Sequence, residues 1–160
     1  MPIPKELALT PNQIDEIMST TWNMRIATMG PAERINLTPL WFGWAGGRVY
    51  TFCRGQKVAN LRRNPSATVL VDLNERYPEL QGIMLQGRAS VLEDAAAEKA
   101  DPFLEQARVQ MGGKYATGRD RSEGEVRNES TSGGRNRRWV VLEPDRVVTW
   151  DNYKLSQIKR

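Results

Sequence analysis

Along residues 82–92 apolar and polar side chains alternate, with Ile83, Leu85, Ala89 and Val91 on one side and Met84, Gln86, Arg88 and Ser90 on the other. A period of two predicts a half-buried strand. Residues 67–72 form a strongly apolar run and predict another strand. Upstream, residues 24–28 and 35–44 read as two strands about a turn at Gly30-Pro31. Residues 48–53 follow as a third after Ala45-Gly46-Gly47, giving an antiparallel meander. Pro39 has no backbone N–H to donate, so its strand is expected at a sheet edge or bulged there, which makes it a candidate ligand contact. Residues 138–143 and 146–151 are expected to close the chain as a hairpin around Pro144-Asp145.

Helical signals fall between these runs. Thr10, Pro11 and Gln13 read as the cap, first position and returning side chain of a helix whose Ile14, Ile17 and Met18 share a face. Residues 56–63 predict a short helix that stops at Asn64-Pro65. Residues 94–111, rich in Ala, Glu, Gln and Lys, predict a third, restarted or kinked at Asp101-Pro102. About seven strands, three helices and no βαβ alternation predict a mainly β chain of the α+β kind, an antiparallel barrel rather than a doubly wound sheet. Residues 112–137 carry almost no large apolar side chain and are expected to be a flexible basic loop.

Composition then narrows the chemistry. A chain of 160 residues, 39% apolar and 26% charged, is expected to form one globular domain over residues 1–160. No apolar run is long enough to span a membrane, and no secretory signal pattern opens the chain, so a cytoplasmic location is expected. The sequence contains no histidine, which removes Ser-His-Asp triads, Cys-His pairs, His-ligated zinc and a histidine base. Cys53 is the lone cysteine and, without a histidine beside it, is not expected to be a nucleophile. Asp94, Glu98 and Asp101 read as a solvated helix face sooner than as a metal site, and no metal ligand is singled out. Neither phosphate-loop nor Rossmann fingerprints occur. If the chain is an enzyme, its reactive centre is expected in a bound cofactor.

The densest chemical signal is Thr51-Phe52-Cys53-Arg54-Gly55-Gln56-Lys57-Val58-Ala59-Asn60-Leu61-Arg62-Arg63. From Arg54 to Arg63 there are four basic residues and no acidic one. Arg54 and Lys57 are three apart, where a strand feeds the first turn of a helix, beside unpaired backbone N–H groups and the positive end of the helix dipole. This predicts an anion site; the alternative is a solvated basic helix face.

Taken with Arg25-Ile26-Ala27-Thr28, Leu37-Thr38-Pro39-Leu40-Trp41-Phe42, Gly82-Ile83-Met84-Leu85-Gln86-Gly87-Arg88-Ala89 and Arg146-Val147-Val148-Thr149-Trp150-Asp151, this stretch resembles the pyridoxamine 5′-phosphate oxidase-like family. The resemblance implies a six- to seven-stranded antiparallel split β-barrel of the FMN-binding kind. Within that superfamily the chain is most similar to the actinobacterial flavin/deazaflavin oxidoreductases, group B, which use coenzyme F-420 or, in some members, FMN. Those relatives are homodimers with two cofactor sites at the subunit interface. Carried over by position, the resemblance implies that Arg54, Lys57 and Asn60 hold the cofactor phosphate. Thr28, Thr38, Pro39, Leu40 and Trp41 would lie along the tricyclic ring, Gln86 would meet it from the neighbouring strand, and Trp150 would face the pocket. On pattern alone Thr28, Leu40 and Gln86 could equally be barrel residues, and Trp41 a core or interface aromatic.

The expected activity is a deazaflavin-dependent reductase passing hydride to a small electron-poor molecule. The alternatives are an FMN-dependent oxidase or reductase of the pyridoxamine 5′-phosphate oxidase type and a non-enzymatic cofactor-binding protein. No catalytic residue is singled out; a proton could come from solvent, Tyr115, Tyr153 or Arg25. Trp22, Trp41, Phe42 and Trp44 are a heavy aromatic load that points to a homodimer interface. A sequence pI near 9.5 permits nucleic-acid binding, but the basic residues lack interleaved aromatics, so no nucleic-acid partner is expected. Lys114, Arg119, Arg121, Arg127, Arg135, Arg137 and Arg138 outnumber Asp120, Glu123, Glu125 and Glu129, seven to four, for a net +3. That loop is expected either to fold over the polyglutamate tail of F-420 or to be a solvated insertion.

Overall fold

The computed structural model describes residues 3–116 and 137–158. Helix α1 (Pro11–Thr20) starts as its sequence dictates: the Gln13 amide N–H donates to the Thr10 hydroxyl at 3.3 Å, and the Thr10 N–H donates to the Gln13 side chain at 2.9 Å. The chain then runs through β1 (Met24–Met29), β2 (Ile35–Leu40), β3 (Gly43–Ala45), β4 (Arg48–Cys53), α2 (Gln56–Arg63), β5 (Ser66–Leu73) and β6 (Gln81–Leu92). It continues through α3 (Ala95–Ala100), α4 (Leu104–Ala116) and β7 (Arg138–Asp151).

The seven strands form one antiparallel sheet in the order β2-β1-β5-β6-β7-β4-β3, curled into a half-barrel. Its concave side encloses Met24, Ile26, Val69, Val71, Ile83, Leu85 and Leu142, with α1 closing it through Ile17 and Met18 and α2 through Val58 and Leu61. A second apolar cluster sits on the opposite side of the β3-β4-β7 end, where Tyr50, Trp139 and Val141 pack against Leu104 and Ala107 of α4. The helices therefore cover the convex side at one end of the sheet. At the other end, across β2, β1, β5 and the first half of β6, that side stays open. Pro39 lies on β2, an edge strand, where its missing donor costs no ladder bond.

Three expectations are corrected. The final hairpin is one unbroken strand, β7, paired with β6 from Gln81↔Asp151 to Leu92↔Trp139. Its turn signal at Pro144-Asp145 serves as a bulge instead: Gln86 pairs with Arg146 and Gly87 with Pro144, leaving Asp145 as the extra residue. The strand expected over residues 35–44 divides into β2 and β3, because Trp41 and Phe42 leave the ladder. The Trp41 carbonyl accepts from the Thr51 hydroxyl at 2.8 Å, and the Phe42 N–H donates to the Tyr115 hydroxyl at 2.9 Å. Finally, residues 112–116 are not loop but the last turns of α4, held by buried Lys114 and Tyr115. The rest of the expected basic loop, residues 117–136, lies outside the described residues.

Candidate functional site

The four basic residues in and just before α2 divide by role. Arg62 forms a two-pronged pair with Glu93 at 2.6 and 2.7 Å, and Arg63 donates to the Met29 carbonyl at 2.8 Å, so both fasten the helix to the sheet. Arg54 is exposed and Lys57 half-buried, and neither is in an ion pair among the described residues. The Lys57 ammonium donates to the Arg54 carbonyl at 3.1 Å. Gly55 turns the chain between them at φ 81°, a left-handed conformation suited to glycine, and offers α2 no side-chain cap. Two cations with no carboxylate partner among the described residues thus stand at a helix start.

Asn60 does not join them. Its side chain is fully buried, donating to the Thr28 hydroxyl at 3.0 Å and accepting from Gln56 at 2.7 Å and Arg63 at 3.3 Å. The resemblance placed it on the phosphate; the structure places it underneath, joining α2 to β1. Thr28 is likewise 2% exposed, its hydroxyl engaged by Asn60.

On the open convex side, just across β1 from this network, lies a cleft of about 520 Å³. Its floor is cut from small side chains, Ala27, Ser66 and Gly87, and its polar groups are Thr68, Gln86, Arg88 and Asp145. Gln86 lines this cleft, with Thr28 at its border. The β6–β7 bulge forms one wall and brings Asp145 to it. Pro39 and Trp150 lie on the same side of the sheet but toward its other end: Pro39 pairs with Arg25, and the Trp150 ring lies over Gly82. Thr38 and Leu40 instead share the core-facing side with Ile26 and Met24. Trp41 stacks on Tyr115, ring centroids 4.2 Å apart and planes 4° from parallel. The ten expected residues are thus spread over several places and not gathered at one.

The family model described as pyridoxamine 5′-phosphate oxidase matches residues 10–151. The chain belongs to this family. Comparison with curated protein sequences finds no match. Among solved structures, the conserved hypothetical protein Rv2991 of Mycobacterium tuberculosis is 21% identical with a TM-score of 0.79, over 100% of this chain and 96% of that chain. HutZ, the heme storage protein of Vibrio cholerae, is 14% identical with a TM-score of 0.65, over 88% and 94%. A structure described as an F420 reductase is 14% identical with a TM-score of 0.59, over 84% and 94%. At such identities the likeness is one of fold.

Within the family fold, several expected groups have structural duties here. The Tyr115 hydroxyl donates to the Trp22 carbonyl at 2.8 Å while accepting from the Phe42 N–H, and burial pushes it well above the usual phenol range. It is locked, a poor proton source. Arg25 is ion-paired with Asp72, whereas Tyr153 is exposed. Cys53 is 5% exposed and burial pushes its thiol up to about 11, which suits an inert packing role. Asp94 caps α3 at the Ala97 N–H, Glu98 pairs with Arg108 at 2.7 Å, and Asp101 accepts from the Tyr50 hydroxyl at 2.8 Å.

The aromatic load is only partly internal: Trp22 is 37% exposed, and Trp41 and Trp44 are half-buried. Phe42 is fully buried, the Trp44 indole donates to Asp15 at 2.8 Å, and Trp22 meets Trp41 and Tyr115 edge-on. Beneath them the Lys114 ammonium donates to the carbonyls of Met18, Thr21 and Phe42 at 3.0–3.1 Å and sits 3.8 Å from the Phe42 ring centre. Burial pulls this ammonium down to about 8, against which its carbonyl partners favour the charged form. Lys114→Met should lower the unfolding free energy by about 2 kcal/mol or more, since buried carbonyls lose a charged donor. Urea denaturation of the variant checks this; an unchanged midpoint would show the clamp to be idle. A lysine in a Gly-Gly-Lys-Tyr stretch gives no local sign of this role, because its acceptors lie 72 to 96 residues away.

Proposed function

We propose that this chain is a cofactor-dependent oxidoreductase that binds a phosphorylated tricyclic ring and passes hydride to a small electron-poor organic molecule. Coenzyme F-420 is the first choice of cofactor and FMN the second. The observation that carries the reading is the pair Arg54 and Lys57 at the start of α2, in no ion pair among the described residues; a separate cleft on the open side of the sheet, lined by neither, has a floor of small side chains. The residues fit such a group. A cleft of about 520 Å³ is within the usual range for small-molecule sites.

The bound ring would supply the hydride chemistry. The protein's part is grip and shielding. Arg54 and Lys57 pair with the phosphate, and Asn60 and Arg63 hold α2 at a fixed distance from β1. Gln86 and Thr68 offer hydrogen bonds along the cleft, and Ala27 and Met29 keep its floor apolar. Similarity to a structure described as an F420 reductase supports the deazaflavin choice. A heme, suggested by HutZ, is disfavoured by the residues present: there is no histidine, and the one thiol is buried and protonated.

Titration of the purified protein with F-420, FMN and riboflavin, followed by ring fluorescence, tests this. Tighter binding of F-420 than of FMN supports the first choice and the reverse order the second. Binding of neither ends the reading.

The working unit in this reading is a homodimer. Its support is the open side of the sheet, where Ile35 and Leu37 of edge strand β2 are 70% and 63% exposed. Leu37→Asp should shift the molar mass seen by light scattering at micromolar concentration from dimer to monomer. A monomeric wild-type protein would remove the dimer.

A further inference from the structure

We infer that Arg88 and Asp145, in the cleft on the open side of the sheet, select the small molecule that accepts the hydride: a planar compound carrying both a carboxylate and a ring N–H. The inference names the substrate class of the proposed function and rests on that reading. The cleft's polar side chains converge from three strands, Ser66 and Thr68 from β5, Gln86 and Arg88 from β6, and Asp145 from the bulge in β7. None of these five side chains is in a hydrogen bond or ion pair among the described residues.

The other arginines of the sheet are paired, Arg25 with Asp72, Arg48 with Glu143 and Arg138 with Glu93. Arg88 stands across the ladder from Glu143, but that carboxylate is taken by Arg48 at 3.4 Å. Asp145 is the residue extra to the ladder, so no cation stands across from it. Opposite charges are therefore held on neighbouring strands of one cleft without neutralising each other. A ligand that meets both must itself carry two unlike groups. The Arg88 guanidinium presents parallel N–H donors whose spacing matches the two oxygens of a carboxylate. The Asp145 carboxylate only accepts, so it calls for an N–H. Between them Ala27, Met29 and Ile35 supply apolar surface and Gly87 adds no side chain, which suits the face of a ring. A neutral ring leaves Arg88 unmatched, and an acid without an N–H brings a second negative charge toward Asp145 with nothing to offset it.

The test uses the full-length protein and three planar probes in calorimetric titrations: orotate, which has a carboxylate and ring N–H groups; uracil, which has the N–H groups alone; and benzoate, which has the carboxylate alone. Orotate should bind about ten-fold more tightly than either of the others, and Arg88→Ala should remove that advantage while leaving uracil unchanged. Arg88→Lys should recover part of it, because a point charge replaces a fork. Asp145→Ala should weaken orotate and uracil but not benzoate. Arg76→Ala, a change at an exposed residue paired only with Glu79, serves as control and should do nothing. Riboflavin should bind wild type and Arg88→Ala alike, which shows that the cleft keeps its shape. Equal orotate affinity in wild type and Arg88→Ala, equal weakening of orotate and uracil by that change, or no orotate binding by the wild type with riboflavin present would each overturn the inference, while binding of F-420 or FMN would leave the oxidoreductase reading in place. Conversely, if the wild type binds no cofactor ring but takes orotate through Arg88 and Asp145, the acid site stands and the oxidoreductase reading falls.

Discussion

Replacing Arg54 and Lys57 together by alanine is expected to weaken binding of a phosphorylated cofactor by roughly 100-fold, at about ten-fold for each charge-assisted bond to the phosphate. The lower end of the usual range applies, because Arg54 is exposed and solvent screens its charge. Affinity for riboflavin should hardly move, since it has no phosphate to lose. The fold should also persist: neither residue is in an ion pair among the described residues, and the anchoring of α2 is the work of Asn60, Arg62 and Arg63. This separates the anion site from its plain alternative, a solvated basic helix face. In that case the double variant and the wild type would bind FMN equally at low and at moderate salt, and the assignment of the phosphate would fall.

The difference between Arg54 and Asn60 shows where sequence reading stops. Both stand in one polar stretch of ten residues, and the local pattern places α2 and its boundaries correctly. Which of its polar residues turns inward is decided by Thr28, 32 positions earlier, whose hydroxyl receives the Asn60 amide. No window along the chain contains that information. The same holds for β2, where Ile35 and Leu37 alternate with Asn36 and Thr38. The alternation predicts a strand, yet the apolar set faces outward, because an alternating pattern says that two sides differ and not which is covered. Local signals with their own chemistry were legible: the Thr10 cap, the stop at Asn64-Pro65, Pro39 at an edge. The cleft was not, since its walls come from β1, β5, β6 and β7.

Pro144-Asp145 is the plainest case of a local signal serving a non-local end, and it yields the second large effect. A proline followed by an aspartate suits a tight turn, but across the ladder stands Gly87, and a Cβ there would lie 2.0 Å from the Glu143 carbonyl oxygen and 2.8 Å from Pro144 Cα. The strands close up at the bulge only because that atom is missing. Gly87→Ala sets a methyl group against backbone, which cannot rotate aside as a side chain can, so β7 must shift or its rungs beside the bulge must break. The expected cost is about 3 kcal/mol, at the upper end of ordinary overpacking, or a melting temperature lower by roughly 6–12 °C for a chain of this size. Gly113→Ala is the contrasting change: a Cβ there meets nothing within 4 Å, and alanine inside α4 should raise stability by about 0.5–1 kcal/mol. Thermal unfolding of both variants by circular dichroism decides the matter. The bulge also carries Asp145 and abuts Gln86, both at the cleft, so a shifted β7 in Gly87→Ala should loosen ring binding, riboflavin included, where removal of Arg54 and Lys57 does not. A Gly87→Ala protein that melts with the wild type and binds riboflavin as well would mean that the bulge yields freely and that the cleft does not depend on its shape.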